Sequence, residues 1–547
     1  MEPSVSHLHT YFLFPFSIDR DVVLEEHPDY WAGSSHWISG LDRWIGAHSP
    51  DNPSLLPWKR APYARFDRDS QAYADMVFFH PFVRRVFFDT AHMCSAEEQE
   101  SLLRTYAMPT EGRQLKLTAA DARGKSSTVD VTDLRLFLFA NGIGVLTIGV
   151  EATNRPIDEA LWINEQMRKV YPSSGRQLRE GRVPNLIRLT EGDDQRVLIE
   201  ERFEQGSMRD FLPPLSKLIT SLLYFSSYED QQYEPVLDER MIVYTYVALD
   251  RETLPEGVIE REDYDVLFSR ILYVDRNGST YRYDPGFIRQ RMEEHVYRRW
   301  AHQGTLYGFT SYSCATLALG TFDCDNHLLR EGFLIHRMFD TRYYLMAVVA
   351  LFYRATVLDF AERTALTSKR LYNDYEDGKY MQENIAMVGG LRAEFLHFSN
   401  YWHFDELANK DEEIEHFEMQ CRVYRISPMK AEIENELEKL NSMLTEYYTR
   451  QSTEAVNRLA VVSMVLGAGA VLTGFFGMNF GAQFEKLFFQ PGPNPWLHWL
   501  SIAGVSLFAA GSLSFATYLL VANWSDYRHI LVPGALRQTQ RSLRKWG

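Results

Sequence analysis

Two apolar segments near the C-terminal end of this 547-residue chain constrain its fold more than any other feature. The first covers residues 459–476 and the second covers residues 498–522. Each is long enough for a helix to cross the ~30 Å hydrocarbon layer of a bilayer. The polar triplet 477–479 (GMN) follows the first segment directly. The pattern predicts two transmembrane helices, joined by an external loop over 477–497 that opens with this triplet.

Basic residues around these segments predict the orientation of the chain in the membrane. The loop contains a single basic residue, Lys486, whereas the tail over 523–547 contains Arg528, Arg537, Arg541, Arg544 and Lys545. Because cytoplasmic flanks are enriched in Lys and Arg, we expect the tail and the N-terminal part to lie in the cytoplasm. Residues 1–20 have no basic region before a long apolar run, so we expect no signal peptide. The expected location is the plasma (inner) membrane, crossed twice.

Composition argues against several classes of function. The net charge of −16 disfavours nucleic acid as the main partner, because phosphates repel an acidic surface. Such a surface either concentrates cations near the protein or simply keeps the protein soluble, and both interpretations remain open. The four cysteines lie far apart without a CxxC spacing, so neither a zinc site nor a disulfide framework is predicted.

The sequence contains none of three common enzyme motifs. There is no GxxxxGK[ST] phosphate-binding loop, no HExxH zinc-protease motif and no GxSxG nucleophile motif. His7 and His9 stand close together near the N-terminus. We interpret them as an ordinary surface pair, not as a metal site. We therefore expect no enzyme activity and no organic cofactor.

Residues 1–426 have the pattern of a mixed α/β domain. The dipeptide 141–142 (NG) between two β-rich runs is typical of a hairpin, and 277–278 (NG) predicts a second one. Residues 1–110 show no clear period, so we interpret them as irregular α/β structure, with an extra subdomain as the alternative. The predicted fold class is an α+β membrane protein with this cytoplasmic domain, a long stalk helix and two C-terminal transmembrane helices.

The region from about residue 333 to residue 426 looks helical. The apolar stretch Tyr343–Tyr353 is ended by Arg354 too early for a membrane span, so it predicts a buried helix. Further along lies an acidic group that could serve as a regulatory metal site: Asp411, Glu412, Glu413 and Glu415. A solvated helix face is the favoured interpretation of these carboxylates.

A single long helix is predicted from Pro428 to Phe476. Ser427 is a good N-cap and Pro428 suits the first helical position. No proline follows before Phe476, so the stalk over 427–458 continues into the first span. Apolar residues of the stalk recur at spacings of four and three: Ile433, Leu437, Leu440, Leu444 and Tyr447. Such a seam needs a partner helix, so we expect a parallel oligomer.

This arrangement resembles the CorA family of divalent-cation channels, also called two-TM-GxN proteins. The residues that carry the resemblance are Gly477, Met478, Asn479 and Phe480, the stalk stretch 453–459 (TEAVNRL) and the ending 543–546 (LRKW). It implies a homopentamer with a central pore lined by the first span, a funnel-like αβα cytoplasmic domain, and Mg²⁺ as the transported ion. Relatives that carry Zn²⁺ share the triplet, so Zn²⁺, Co²⁺ and Ni²⁺ stay open.

The resemblance implies that Gly477, Met478 and Asn479 form a selectivity filter. Mg²⁺ gives up its waters reluctantly. A ring of Asn479 amide oxygens would therefore contact the ion through its hydration shell, and a carboxylate ring would hold the ion more tightly and slow its exit. The alternative for Asn479 is a polar residue at a helix end with no role toward an ion.

Residues that precede the triplet at helical spacing share one face of the predicted helix. The expected pore-lining residues on this face are Gly474, Ala470, Gly467, Ser463 and Thr453. Leu459 and Val456 are the expected hydrophobic gate, since rings of such side chains close a pore by excluding water. For Gly467 and Gly474, close packing of helices is the alternative.

The external loop lacks the acidic segment typical of the family, and its remaining acid, Glu485, is best interpreted as a solvated charge. The large N-terminal domain would suit a channel opened by a small cytosolic ligand. A membrane-anchored enzyme is the alternative outside transport.

Overall fold

A computed structural model describes most of the chain. The described residues are 3–31, 37–48, 50, 52–61, 77–88, 102–171, 175–203, 215–228, 230–237, 240–254, 257, 262–275, 283–319, 331–377, 382–477, 485–486, 488–489 and 494–522. They divide into two compact units, Met1–Leu437 and Glu438–Gly547. The predicted tail over 523–547 and most of the predicted external loop lie outside the described residues.

Thirteen strands among the described residues form one sheet in the first unit. They are β1 Ser4–Ile18, β2 Lys59–Arg60, β3 Leu103–Ala107, β4 Leu115–Asp121, β5 Ser126–Phe139, β6 Ile143–Pro156, β7 Pro184–Glu191, β8 Arg196–Arg202, β9 Tyr233–Pro235, β10 Ile242–Leu249, β11 Val296–Tyr297, β12 Leu306–Phe309 and β13 Ser313–Leu319. Their order is β11-β12-β13-β10-β1-β6-β5-β4-β7-β8, with β9 beside β1, β3 beside β5 and β2 beside β3. Neighbours run antiparallel except β10 and β13, which are parallel.

The helices of the described residues occupy both units. They are α1 Arg20–Glu26, α2 Pro28–Trp31, α3 Leu41–Ala47, α4 Pro81–Phe87, α5 Ile157–Met167, α6 Gly175–Arg179, α7 Lys217–Leu222, α8 Glu262–Leu272, α9 Pro285–His295, α10 Glu331–Met338, α11 Tyr344–Asp377, α12 Gln382–His397, α13 Asp411–Val423, α14 Ile426–Gly477 and α15 Pro495–Ala522. A π-helical turn, Phe339–Tyr343, links α10 to α11.

Strand β1 lies at the centre of the sheet and is buried on both faces. It pairs with β10 on one side and β6 on the other. Successive strand side chains point to opposite faces. Thus Phe12 and Phe14 enter one core, whereas Tyr11 and Leu13 enter the other. Because both faces are apolar, this segment lacks the alternation of a half-exposed strand, and the prediction of irregular structure there is wrong.

Helices cover the sheet on both faces, which confirms the predicted mixed α/β class. On one face, Asn164 of α5 accepts a 2.8 Å hydrogen bond from Thr10 of β1. On the other face, Phe352 of α11 stacks on Phe139 of β5 with ring centroids 4.0 Å apart. The two cores are therefore separated by the sheet and share its strands.

One predicted hairpin is confirmed, whereas the strand predicted to begin the other is wrong at its first residues, which are helical. Residues 141–142 connect β5 to β6, where Gly142 has a φ of 94° that its missing Cβ permits. The run before 277–278 belongs instead to helix α8. Its buried residues Tyr264, Phe268 and Ile271 recur at spacings of four and three, a helical period. Residues 276–282 lie outside the described residues.

The apolar stretch Tyr343–Tyr353 is buried, as predicted. Within the described part of the chain, one helical run, Ile335–Asp374, has the length and apolar composition of a membrane span. Its most apolar window is 78% buried inside the protein. This run therefore serves as the core helix of the second face of the sheet.

The predicted long helix is present as α14, which is continuous over 52 residues. The boundary between the two units falls inside it, after Leu437. Ile433 and Leu437 are buried in the core of the first unit. The prediction that a partner helix buries these two seam residues is therefore wrong, because the chain covers them itself.

His7 and His9 are not on the surface. They are 1% and 2% exposed on β1, so the interpretation as a surface pair is wrong. Both occupy positions of a strand that has no solvent-facing side. Their proximity to the N-terminus gave no sign of this location at the middle of the sheet.

We predict that Gly144→Ala destabilises the first unit. Gly144 pairs with Phe16 across β6 and β1, and an added Cβ would lie 2.3 Å from Phe16 Cζ. Overpacking of this kind lowers the free energy of unfolding by ~1–3 kcal/mol. Denaturant unfolding of the purified protein measures it.

Gly46→Ala is the matched control. A Cβ at Gly46 in α3 meets no atom within 4 Å, so this change should leave stability equal or raise it by up to ~1 kcal/mol. Equal stabilities for the two variants would contradict the packing described for Phe16.

Candidate functional site

Helix α14 carries all the predicted pore-lining and gate residues that precede the GMN triplet. With 3.6 residues per turn, these positions fall on one side of the helix: Thr453, Val456, Leu459, Ser463, Gly467, Ala470 and Gly474. Gly477 is the last residue of the helix. Met478 and Asn479 lie outside the described residues. The alignment on one face is thus present, and the roles of these residues stay predictions.

Large apolar side chains of the second unit are exposed in the single chain. On α14, Val456 is 61% exposed and Leu459 is 66% exposed. On α15, Leu507 and Tyr518 are likewise exposed. Exposed apolar patches mark contacts with a membrane or with another protein. These side chains are therefore candidates for such a contact.

A polar stripe continues the same face of α14 toward its N-terminal half. Its members are Asn441, Thr445, Thr449 and Thr453, spaced four residues apart. Each threonine hydroxyl donates to the carbonyl four residues earlier, at 2.8, 2.8 and 2.7 Å in chain order. Because each hydroxyl proton is donated to a carbonyl of the same helix, the oxygen lone pairs of the threonines can accept hydrogen bonds from water. Only Thr453 was predicted, although the four-residue spacing was visible in the sequence.

The acidic group at the start of α13 is only partly solvated. Asp411 and Glu415 are exposed, as predicted. Glu413 is 2% exposed and its Oε1 lies 3.6 Å from Arg342 Nε. Burial raises the pKa of Glu413, and the Arg342 charge opposes this rise. The predicted solvated face is therefore wrong for Glu413.

Glu412 also points inward and anchors α13 to the rest of the unit. Its carboxylate accepts hydrogen bonds from Trp300 Nε1 and Tyr343 Oη, both at 3.0 Å. These acids do not form a metal-ligand group within the described residues. The group found there consists of His7, Glu151 and His336.

We predict that Glu412→Ala lowers the free energy of unfolding by ~1–3 kcal/mol, because it leaves two partly buried donors without an acceptor. Thermal or denaturant unfolding measures it. Glu418→Ala on the same helix is the control. Glu418 is 66% exposed and forms a surface ion pair with Arg422, so its loss should cost less than about 0.5 kcal/mol. A larger loss at Glu418 than at Glu412 would refute the anchoring role.

Comparisons with known proteins give two similar structures. No protein-family model and no curated protein matches the chain. The chain is similar to the CorA magnesium transporter from Methanocaldococcus jannaschii, with 12% identity, coverage of 51% of this chain and 91% of that chain, and a TM-score of 0.21. It is also similar to the full-length CmaX protein, with 13% identity, 54% and 91% coverage, and a TM-score of 0.17. TM-scores this low do not establish a shared fold.

Proposed function

We propose that the chain is a subunit of a membrane channel that conducts hydrated divalent cations, with Mg²⁺ as the principal ion. The observation that carries this proposal is the continuity of α14. One face of this helix runs without interruption from the polar stripe through small residues to Gly477, where the GMN triplet begins. A face of this composition suits the wall of a water-filled pathway.

A pore requires several copies of this face around one axis, and we propose a homopentamer. The exposure of Val456 and Leu459 supports assembly, because a single chain leaves both in contact with solvent. In a ring, these side chains would form the narrow apolar gate. The hydroxyls of Thr445, Thr449 and Thr453 would line the cytoplasmic side of that gate.

We assign Asn479 to the outer mouth of the proposed pore. Its amide oxygen would accept hydrogen bonds from the waters that Mg²⁺ retains. Conduction needs no hydrolytic step, since a membrane potential supplies ~2.3 kcal/mol per charge per 100 mV and thus about 4.6 kcal/mol for a divalent ion. This agrees with the lack of a nucleotide-binding motif in the sequence.

The membrane arrangement follows from the same assignment. Residues 459–476 and 498–522 would be the two spans, lying in α14 and α15. The N-terminal domain and the tail would be cytoplasmic, and the membrane would be the plasma (inner) membrane. The partners are then further copies of the chain, lipid and the transported cation, with no nucleic acid, no organic cofactor and no enzyme activity.

We predict that Asn479→Ala reduces Mg²⁺ flux into proteoliposomes to below about a tenth of the wild-type rate. Each lost hydrogen bond to the hydrated ion removes ~1 kcal/mol, and a ring loses several at once. Asn494→Ala, which removes the same amide outside the triplet, is the control and should leave flux unchanged. The same flux measurements with Zn²⁺, Co²⁺ and Ni²⁺ show which of these ions the protein conducts fastest. Full flux through Asn479→Ala would contradict the filter role of Asn479. A wild-type protein that gives no Mg²⁺ flux would overturn the channel proposal and favour a membrane-anchored enzyme.

We predict that Leu459→Ala raises resting flux, because a smaller side chain lets water stay in the narrow part of the pore. Val461→Ala is the control on the opposite side of the helix, with the same kind of change and no expected effect. Flux in the absence of added ligand measures both. A gate elsewhere would be indicated if Leu459→Ala behaved like Val461→Ala.

A further inference from the structure

Four side chains that could bind a metal converge between the central strands and α10. His7 and His9 project from the same side of β1, since they are two residues apart in a strand. Glu151 of β6 pairs directly with His9 in the antiparallel register. His336 comes from α10, more than three hundred residues away along the chain. Only the folded sheet brings the four together.

The distances between their donor atoms are short. His9 Nδ1 lies 2.9 Å from His336 Nε2. Glu151 Oε1 lies 3.5 Å from His7 Nε2, 3.4 Å from His9 Nδ1 and 3.9 Å from His336 Nε2. The candidate ligand atoms of His7, Glu151 and His336 all lie within 4.8 Å of one another. One ion placed among these three atoms could reach all of them, and His9 Nδ1 lies close to two of the three, Glu151 Oε1 and His336 Nε2.

Zinc geometry fits these separations. Zn²⁺ binds imidazole nitrogen at ~2.0–2.1 Å and carboxylate oxygen at ~2.0–2.2 Å, so tetrahedral ligand atoms lie ~3.3 Å apart. The observed separations bracket this value. Small movements of the side chains would therefore complete a four-coordinate site.

The charge state also suits a metal. Burial lowers the pKa of His9 to about 4, although Glu151 opposes the shift, and burial lowers the pKa of His336 to about 3. Burial alone would raise the pKa of Glu151, but its hydrogen bond with His7 and the nearby histidines lower it. At neutral pH His9 and His336 are therefore neutral imidazoles and Glu151 is a carboxylate, which are the forms that bind metal.

The surroundings hold the rings in place. Thr132 Oγ1 lies 3.4 Å from His9 Nε2, so this second nitrogen can carry the proton while Nδ1 faces the cluster. Phe339 and Tyr246 pack beside the rings, at centroid distances of 5.5 Å from His9 and 5.1 Å from His336. Glu151 is 32% exposed, which leaves a route for an ion from solvent.

We propose that His7, His9, Glu151 and His336 bind one divalent transition-metal ion, with Zn²⁺ as the best fit. Three nitrogens and one oxygen suit Zn²⁺, Co²⁺ or Ni²⁺. Mg²⁺ prefers an octahedral set of oxygens, so it does not suit this site. The proposal is independent of the conducted ion, because no residue of the cluster lies on α14. A bound ion would link β1 and β6 to α10.

The test is a metal titration of the full-length protein in detergent, after removal of metal with a chelator. We expect one equivalent of Co²⁺ per chain to give the strong visible absorption of a four-coordinate complex. Zn²⁺ should displace it and Mg²⁺ should not. His336→Gln and Glu151→Gln should each weaken Zn²⁺ binding by at least about 10–100-fold. Mutation of a residue that only hydrogen-bonds to a metal ligand already lowers metal affinity by that factor.

Three controls make the result decisive. His302→Gln removes an exposed histidine and should bind like the wild type. Asn479→Ala should keep the Co²⁺ signal, which separates this site from the proposed pore. Circular dichroism of the metal-free variants checks folding, and His7→Asn replaces any variant that does not fold. The proposal fails if the wild type gives no saturable Co²⁺ signal, or if folded ligand variants retain full affinity; the four residues are then a hydrogen-bonded cluster only.

Discussion

The burial of β1 on both faces is the constraint on which the first unit depends. This strand supplies apolar side chains to two cores at once and joins β10 to β6. Its loss would expose both cores and divide the sheet at its middle. A strand buried in this way has no face for water, so any polar side chain that it carries must be satisfied inside the protein. His7, His9 and Thr10 are such side chains, and all have polar neighbours from distant parts of the chain.

The sequence was most informative where the signal is local. The lack of proline between Pro428 and Phe476 predicted α14 to within two residues at either end. The predicted N-cap at Ser427 is wrong, because the helix begins one residue earlier, at Ile426. The dipeptide 141–142 located the β5–β6 hairpin. Turn residues and the breaking of helices by proline act over a few residues, so they can be interpreted without knowledge of the rest of the fold.

The parts that sequence analysis missed depend on long-range contacts. β1 was missed because strands buried on both faces lack a period of two. The inward direction of Glu412 depends on Trp300 and Tyr343, which are distant in sequence. Likewise, the His7–Glu151–His336 group joins two strands and a helix, and no spacing in the sequence connects them. Of the predicted site, the alignment on one helix face followed from the helical period, whereas the GMN triplet itself rests on the resemblance.

The two groups of ion-relevant residues differ in chemistry. The α14 face presents threonine hydroxyl oxygens and small residues, which would contact an ion through its bound water. The cluster on the sheet presents mainly nitrogen donors at buried positions, which would bind an ion directly. A protein with both would treat hard and borderline cations differently in its two units.

The helical period of α14 makes the shared face sensitive to chain length. The 40 residues from Glu438 to Gly477 form one uninterrupted part of this helix. Each added residue turns all later positions by about 100° around the helix axis. One residue inserted between Thr453 and Val456 would therefore place the polar stripe and the two apolar residues 456 and 459 on different sides of the helix.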